Sequence, residues 1–290
     1  MTEALLSAVI VSFNARDHLR RCLDGLFSHL GGAFEVIVVD NASSDGCADM
    51  VERDFPNVRL VRNATNTGFA SAANLGVRNA RGDVILYLNP DSELHDDPFS
   101  SPAAYLRDHP DAGALGVKLL DPDGALQLSV RRFPGLEAAL FNRYSLLTRV
   151  WPTNPWSRRY LMTDWRHDAL SDVDWVSGAC LMTTRAVLDR VGYFDEAFFW
   201  GFEDVDFCQR VHRAGLRVVY YPETSVVHAI GASARTVPSK AVIARHKGMW
   251  RYYRRYLSPN RLVDTLVLAG IVGRCSLQVG SGWLRRRLAR

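Results

Sequence analysis

The chain has 290 residues, of which 48% are hydrophobic and 23% charged, so a globular protein with a sizeable core is expected and a disordered or fibrous one is excluded. Its five cysteines have no C-x-x-C pairing or regular spacing, which argues against a disulfide framework or a structural zinc site and favours a reducing cytosol. The net charge of +4 hides an asymmetry: residues 235–290 carry 13 Lys and Arg against one acid, whereas the rest carries 22 against 30.

Apolar, β-branched runs alternate with amphipathic stretches over the first 90 residues. Strands are predicted at 7–13, 34–39, 58–61 and 84–88. Helices are predicted around 19–26, from a cap at 44–45 through about 54, and at 69–80. The first run has no basic segment before it, so it is interpreted as a buried strand rather than a signal peptide. Continuous apolar strands separated by helices predict an α/β fold with a mostly parallel sheet covered on both faces.

Polar residues follow three of these strands. Asn14, Asp40 and Asp91 stand where the first, second and fourth predicted strands end. Because ligands of such sheets bind beyond the carboxyl ends of the strands, we expect a binding site at this edge.

The pattern is less regular between 95 and 172 and becomes clearer again afterwards. A strand is predicted at 117–120 and a helix at 136–151. A strand at 176–183, a helix opened by E-D-V-D and ending near 215, and a last strand at 216–221 follow.

Six segments together resemble one enzyme family. They are V-I-V-S-F-N (9–14), V-V-D-N-A-S-S-D-G (38–46), N-T-G-F-A-S-A-A-N-L-G (66–76), L-Y-L-N-P-D-S (86–92), W-V-S-G-A-C-L-M (175–182) and F-D-E-A-F-F-W-G-F-E-D-V-D-F-C-Q-R (194–210). In order and spacing they resemble the family-2 inverting glycosyltransferases, and the N-P-D and N-x-G-F-A segments look most like the rhamnosyltransferase subgroup. The resemblance implies a GT-A fold, a Rossmann-like, mostly parallel sheet flanked by helices, over 1–234. The composition of 235–290 predicts a basic, partly amphipathic helical tail after it.

Seven residues, the six named here and Asp91, are predicted to bind the nucleoside-diphosphate sugar. The resemblance implies that Asp40 accepts a hydrogen bond from a pyrimidine N–H, although an Asp that caps a turn is the alternative. Asn66, Gly68 and Asn74 lie on a loop that enters a helix, whose N-terminus favours a diphosphate, and a plain structural turn is the alternative. Asn14 and Asn89 complete this set.

Asp91 and His228 are predicted to hold a divalent cation, Mn²⁺ or Mg²⁺, against the donor diphosphate. Asp91 belongs to this donor site as well. Many relatives carry D-x-D where this chain has Asn89-Pro90-Asp91, so Asn89 supplies a neutral oxygen and weaker metal binding is expected. The resemblance assigns a metal-binding role to His228, whose imidazole would favour manganese.

The E-D-V-D segment is predicted to supply the catalytic base. The resemblance assigns this role to Asp204, which would take the proton of the attacking hydroxyl. Repulsion among the three acids is expected to raise at least one pKa, and favourable charge at a helix N-terminus is the structural alternative. The acceptor is predicted to contact Trp175, Ser177, Gly178, Trp200 and Glu203.

The basic tail mixes Arg and Lys with aromatic residues before an apolar stretch at 262–272. That stretch is too short and interrupted for a clear membrane span, and an interfacial helix on an anionic membrane is predicted instead. A basic helix that docks on the acidic body is the alternative. No nucleic-acid partner is expected, although such a tail could bind one.

These features predict a cytoplasmic enzyme, peripheral on the cytosolic face of the plasma membrane. It would transfer a sugar from a nucleoside diphosphate to a hydroxyl of a glycan or a polyprenyl-diphosphate-linked acceptor. The resemblance alone points to rhamnose from dTDP-rhamnose. Two alternatives stay open: a non-catalytic nucleotide or carbohydrate binder, and a sugar nucleotidyltransferase, for which the first loop lacks the expected glycines.

Overall fold

The computed structural model of the protein describes residues 5–136, 150–151, 153–229 and 238–288. The helix predicted at 136–151 therefore lies almost entirely outside the described residues. The boundary predicted between 234 and 235 lies outside them as well.

The described residues form eleven strands and nine helices. The strands are β1 (Leu6–Ser12), β2 (Phe34–Asp40), β3 (Arg59–Arg62), β4 (Val84–Leu88), β5 (Ser92–Glu93), β6 (Ala112–Leu120), β7 (Val130–Arg131), β8 (Ser171–Asp172), β9 (Trp175–Val176), β10 (Cys180–Thr184) and β11 (Arg217–His228). The helices are α1 (Arg16–His29), α2 (Cys47–Asp54), α3 (Phe69–Asn79), α4 (Ser100–Asp108), α5 (Pro155–Leu161), α6 (Arg185–Val191), α7 (Glu203–Arg213), α8 (Pro238–Tyr256) and α9 (Arg261–Leu288).

Nine of these strands form one sheet in the order β3-β2-β1-β4-β10-β6-β11-β5, with β8 beside β11. Strands β3, β2, β1 and β4 are parallel, and so are β6 and β11, which confirms the mostly parallel α/β fold. Between the two groups, β10 runs antiparallel to both β4 and β6. Ser12 pairs with Asp40 and Ile10 with Leu88, so the carboxyl ends of β1, β2 and β4 lie at one edge.

Each face of the sheet packs on its own hydrophobic cluster. Ala8 and Ile10 of β1 contact the cluster that includes α1, α2 and α4, whereas Val9 and Val11 contact the cluster that includes α3, α6 and α7. Burial on both faces explains why the strands are continuous apolar runs rather than alternating ones.

Two segments differ from the predicted strands. The run predicted at 176–183 is two strands, because the chain turns between Ser177 and Ala179 and β9 leaves the main sheet to pair with β7. The last strand continues past 221 to His228, with an irregularity between Tyr221 and Ser225 where Pro222 cannot donate to the ladder. This extension brings His228 opposite Ser92 of β5.

The tail helix α8 docks on α7 through the buried carboxylate of Asp206. This side chain has 0% exposure and accepts hydrogen bonds from Arg210 (2.9 Å), Arg255 (2.7 Å) and the Tyr256 hydroxyl (2.8 Å). The docking of a basic helix on the acidic body, an alternative drawn from the sequence, thus describes α8.

Helix α9 packs in turn on α8. The Tyr253 hydroxyl donates to Asp264 at 2.7 Å, and Arg254 forms an ion pair with the same carboxylate.

We predict that Asp206→Asn lowers the free energy of unfolding by about 3 kcal/mol, because two buried arginine contacts lose their counter-charge. Urea unfolding of the full chain measures this. The matched control is Asp111→Asn, whose side chain is 58% exposed in its ion pair with Arg217 and should matter little. Equal losses in both variants would contradict the structural role of Asp206.

Candidate active site at the carboxyl edge of the sheet

The loops after β1 and β2 hold each other in place. Asn14 has a positive φ of 50°, and its side-chain oxygen accepts a hydrogen bond from the Ser44 amide at 2.8 Å. Its own amide donates to the Ser43 hydroxyl at 3.0 Å. Asn14 therefore shapes the loop that follows Asp40.

Asp40 ends β2 and is only 4% exposed. Its Oδ2 accepts a hydrogen bond from the Ser43 amide at 3.2 Å. Its Oδ1 is buried and has no hydrogen-bond partner among the described residues. Because an unpaired buried carboxylate oxygen is costly, this atom is suited to accept an N–H from a ligand.

Asn41 organises the next loop, and the sequence analysis did not single it out. Its side-chain nitrogen donates to Asn66 Oδ1 and to the Gly68 carbonyl, both at 3.1 Å. Its oxygen accepts from the Asn63 side chain and the Thr67 amide, both at 3.0 Å. Its place at the end of β2, within the motif at 38–46, was the available signal.

Gly68 has a different role from the predicted one. Its φ is +87°, and a Cβ there would lie 2.5 Å from the Phe199 carbonyl oxygen, which accepts a hydrogen bond from the Phe69 amide at 2.7 Å. The backbone that comes close to Gly68 is therefore the segment before α7, whereas a ligand had been predicted to approach it. Phe198 beside it is fully buried.

Asn74 also has a structural role in place of the predicted contact with the donor. It lies buried in α3, donates to the Phe194 carbonyl (2.8 Å) and to Glu196 (3.0 Å), and accepts from the Phe194 amide (3.1 Å). These bonds hold the segment that leads to α7, and we leave Asn74 out of the donor site.

The predicted cation ligands meet at the end of β4. Because β5 pairs with the end of β11, His228 Nε2 lies 3.2 Å from Asp91 Oδ1 and 3.1 Å from Asn89 Nδ2. His228 Nδ1 lies 3.0 Å from Gln127 Oε1. Because an amide oxygen can only accept, this contact assigns the proton to Nδ1 and leaves Nε2, which faces Asp91, as the nitrogen able to bind a cation. Gln127 comes from the irregular middle of the chain, where no pattern marked it.

This donor set fits a divalent cation, because it combines a buried carboxylate with an oriented imidazole. Within the ranges that the structure covers, no group of three or more His, Cys, Asp or Glu side chains is placed to hold a metal ion. The remaining ligands of a cation would have to be oxygens of Asn89, of a bound diphosphate or of water.

Asp204 lies in the first turn of α7, next to this group. Its carboxylate accepts hydrogen bonds from the amides of Gly178 (2.9 Å) and Val205 (2.8 Å). The neighbouring Ala179 carbonyl accepts the amide of Asn89 at 2.9 Å. The turn between β9 and β10 thus joins Asp204 to the end of β4. Burial raises the pKa of Asp204, and the two amides limit that rise.

Glu203 is buried, and its Oε2 has no hydrogen-bond partner among the described residues. Burial raises its pKa well above the ordinary value, and the charge of Asp204 adds to the rise. Repulsion between the acids is therefore the second cause of the raised pKa, after burial. Asp206 is paired with two arginines of its own. The contact of Glu203 with the acceptor stays a prediction.

A cavity of about 270 Å³ lies on the other side of Asp204. Trp175 lines it, donates to the Arg132 carbonyl at 2.9 Å and has the Arg131 guanidinium 5.2 Å from its ring centroid. The other predicted acceptor residues do not line it; they are Ser177, Gly178, Trp200 and Glu203. Gly178 instead holds Asp204, and Ser177 donates its amide to the Ser129 carbonyl at 2.9 Å.

The sequence of this chain matches known families along most of the described sheet. Residues 7–172 match the model of glycosyl transferase family 2, and residues 171–230 match that of the N-terminal domain of galactosyltransferase. A relative from Mycobacterium tuberculosis, named N-acetylglucosaminyl-diphospho-decaprenol L-rhamnosyltransferase, is 31% identical over 86% of this chain and 84% of its own. The chain belongs to glycosyl transferase family 2. It is a glycosyltransferase, as the motifs predicted.

This family-2 glycosyltransferase has further relatives in sequence and in fold. Rhamnosyltransferase WbbL of Escherichia coli is 27% identical over 89% of this chain and 96% of its own. The solved mannosyltransferase of Pyrobaculum calidifontis, in complex with GDP-Man and Mn²⁺, superposes with a TM-score of 0.61 at 16% identity, over 99% of this chain and 80% of its own. The structural match confirms the GT-A fold.

We predict that Gly68→Ala lowers the free energy of unfolding by at least about 3 kcal/mol, because it combines a strained φ with a clash against the Phe199 carbonyl. Gly124→Ala is the matched control: it has φ +83° but open space around a Cβ, and should lose about 1 kcal/mol. Urea unfolding compares them. Similar losses would mean that the contact with Phe199 is unimportant.

We predict that Glu203→Gln stabilises the protein progressively as the pH rises. The raised pKa means that the folded state binds the proton more tightly than the unfolded one. The wild-type protein should therefore lose stability as the pH rises from the ordinary value of 4.5 through the raised pKa. Urea unfolding at pH 5 to 8 measures the difference, with exposed Glu223→Gln as control. A difference that is constant with pH refutes the idea.

Proposed function

We propose that this glycosyltransferase transfers rhamnose from dTDP-rhamnose, with inversion, to a sugar hydroxyl of a polyprenyl-diphosphate-linked acceptor. The names of the two relatives, both rhamnosyltransferases and one acting on a diphospho-decaprenol, support the donor sugar and the acceptor. The carrying observation is geometric: the turn at 177–179 joins Asp204 on one side to Asn89, and thus to the Asp91–His228 pair, on the other.

Asp204 acts as the general base in this proposal. The acceptor hydroxyl gives its proton to the carboxylate while its oxygen attacks the anomeric carbon, and the bond from that carbon to the donor phosphate breaks. Burial supports the role, because a raised pKa makes the carboxylate a better proton acceptor. The amides of Gly178 and Val205 orient both carboxylate oxygens.

Asp91 and His228 would hold Mn²⁺ or Mg²⁺, with Asn89 beside them. When bound, the cation would neutralise the charge that accumulates on the departing nucleoside diphosphate. Gln127 serves this pair by holding the imidazole in one tautomer. With one carboxylate in place of two, the metal affinity should be modest.

The donor base would bind at the end of β2. Asp40 Oδ1 supports this placement, because a pyrimidine N–H would satisfy a buried oxygen that lacks a partner among the described residues. Asn14, Asn66 and Gly68 belong to this region as the loops that shape it. Asn41 holds the loop before α3 against the end of β2, through the Gly68 carbonyl and the Thr67 amide.

In this proposal the chain is divided into a catalytic domain at 1–234 and a tail at 235–290. The tail would place the enzyme on an anionic membrane at the cytosolic side. One helix among the described residues, at Arg261–Gly282, is long and apolar enough to cross a membrane by length and composition. Its outer side chains are exposed, with Leu262 at 72% and Leu277 at 76%. Since Asp264 of the same helix accepts a hydrogen bond from α8 and Ile271 is buried, an interfacial position fits better than a span.

We predict that Asp204→Asn lowers kcat by about 10²–10⁴-fold, because the base is lost, and leaves dTDP binding unchanged. Transfer from dTDP-, UDP- and GDP-sugars to a lipid-linked acceptor is followed by mass spectrometry, and the anomeric configuration by NMR. Calorimetry with each nucleotide, with and without Mn²⁺, measures binding.

Asp111→Asn is the matched control and should transfer normally. Asp91→Asn should lose the Mn²⁺-dependent part of nucleotide binding. A wild-type protein that binds nucleotides but transfers no sugar to any acceptor would contradict the proposal. A non-catalytic nucleotide or carbohydrate binder would then be the better explanation.

A further inference from the structure

The cavity beside Asp204 is built jointly by the body and the tail. Asp204 and Trp175 line it from the body, whereas Tyr252 of α8 and Ile271 of α9 line it from the tail. None of the residues proposed for the donor or the cation lines it. Its lining is therefore distinct from the proposed donor and cation residues.

The charges that line this cavity are mostly positive. Arg131, Arg245 and Arg274 line it, and Asp204 is the one acidic residue among the described residues of its lining. Arg131 is close enough to Asp204 for its charge to lower the pKa of that carboxyl. Arg245 extends along Gly201, two residues before α7, where a Cβ would lie 3.6 Å from Arg245 Cγ.

Arg245 and Arg274 are close to each other although they come from different helices. Burial lowers the pKa of Arg274, and the charge of Arg245 lowers it further. Arg245 also donates to Gln278 at 3.2 Å, which holds it against α9. Two guanidinium groups held together in a partly buried place attract an anion that can contact both.

The rest of the lining is largely apolar or aromatic. It includes Met249 of α8, Leu257 directly after α8, and Val267 and Ile271 of α9. A cavity lined by a carboxylate, by arginines and by aliphatic side chains fits an amphiphile with a hydroxyl, a diphosphate and a hydrocarbon chain. A free glycan would leave the arginines and the aliphatic walls without a function.

We propose that this cavity binds the diphosphate and the first isoprenoid unit of the lipid-linked acceptor, with Arg245 and Arg274 on the diphosphate. The proposal rests on the proposed transfer to such an acceptor. It assigns a binding role to the tail that goes beyond attachment to a membrane.

The position of α9 is consistent with entry from the membrane. Ile271 and Arg274 face the cavity, whereas Leu262, Leu266 and Leu277 are exposed on the helix. A single helix thus separates the cavity from the surface proposed to meet the lipid. An acceptor could then reach Asp204 with its hydrocarbon chain still in the bilayer.

Calorimetry of the full chain with farnesyl diphosphate tests the proposal, with EDTA present so that no cation promotes binding of diphosphate at the donor site. The Arg245→Gln/Arg274→Gln protein should bind at least about tenfold more weakly. Arg251→Gln/Arg261→Gln is the matched control, because it removes the same charge from exposed positions of the same two helices outside the cavity. It should change the Kd less than about twofold. Farnesol and inorganic pyrophosphate should each bind more weakly than farnesyl diphosphate.

Two results would overturn the proposal. Equal weakening in both double variants would mean general attraction to a basic tail, and equal binding of pyrophosphate and farnesyl diphosphate would mean an anion site without a lipid site. If the arginine variants lose their cooperative unfolding, the comparison of the three ligands on the wild-type protein still decides.

Kinetics separate this proposal from the proposed function. With a lipid-linked acceptor, Arg245→Gln/Arg274→Gln should raise the KM for the acceptor at least about tenfold and leave the KM for the donor unchanged. A wild-type enzyme that transfers sugar, with an acceptor KM indifferent to both arginines, overturns the binding site alone. A wild-type protein that transfers nothing overturns the function.

Discussion

The hydrogen bond from the Gly178 amide to the Asp204 carboxylate is the contact on which the arrangement of the site depends. Gly178 lies in the turn before β10, and β10 runs antiparallel to β4, with Cys180 opposite Leu88. The start of an antiparallel strand lies beside the end of its parallel neighbours. The inserted strand therefore brings the first turn of α7 to the edge where the donor and cation residues collect, although more than 100 residues separate Asp91 from Asp204.

The sequence predicted the residues that end strands better than the residues that hold them. The position of Asp40 and Asp91 follows from apolar runs whose ends are visible in the sequence, and the parallel sheet follows from burial on both faces. The antiparallel direction of β10 and the break at 177–179 did not follow, because a buried run carries no sign of its direction. Gln127 and Asn74 were missed or misassigned because their partners, His228 and Phe194, lie more than 100 residues away.

The three acids of E-D-V-D show how one short pattern divides into three environments. Asp206 faces α8 and is neutralised by arginines, so it is a structural ion. Glu203 is enclosed with a raised pKa and so tends toward the neutral form. Asp204 alone combines two amide donors with a place in the cavity wall. Helical spacing separates Asp204 from the faces of the other two, but only the packed neighbours give each acid its own environment.

The buried carboxylate of Asp206 also links the tail to the proposed site. Arg255 and Tyr256 of α8 bind Asp206, which stands two residues after Asp204 on the same turn of α7. Any shift of α8 therefore displaces Arg255 and Tyr256, which hold α7, and opens the cavity wall to which α8 contributes Tyr252. Because α9 reaches the body chiefly through α8, a force on its exposed apolar side is transmitted along this path. The proposed contact with a membrane and the position of the Asp204 carboxylate are in this way mechanically linked.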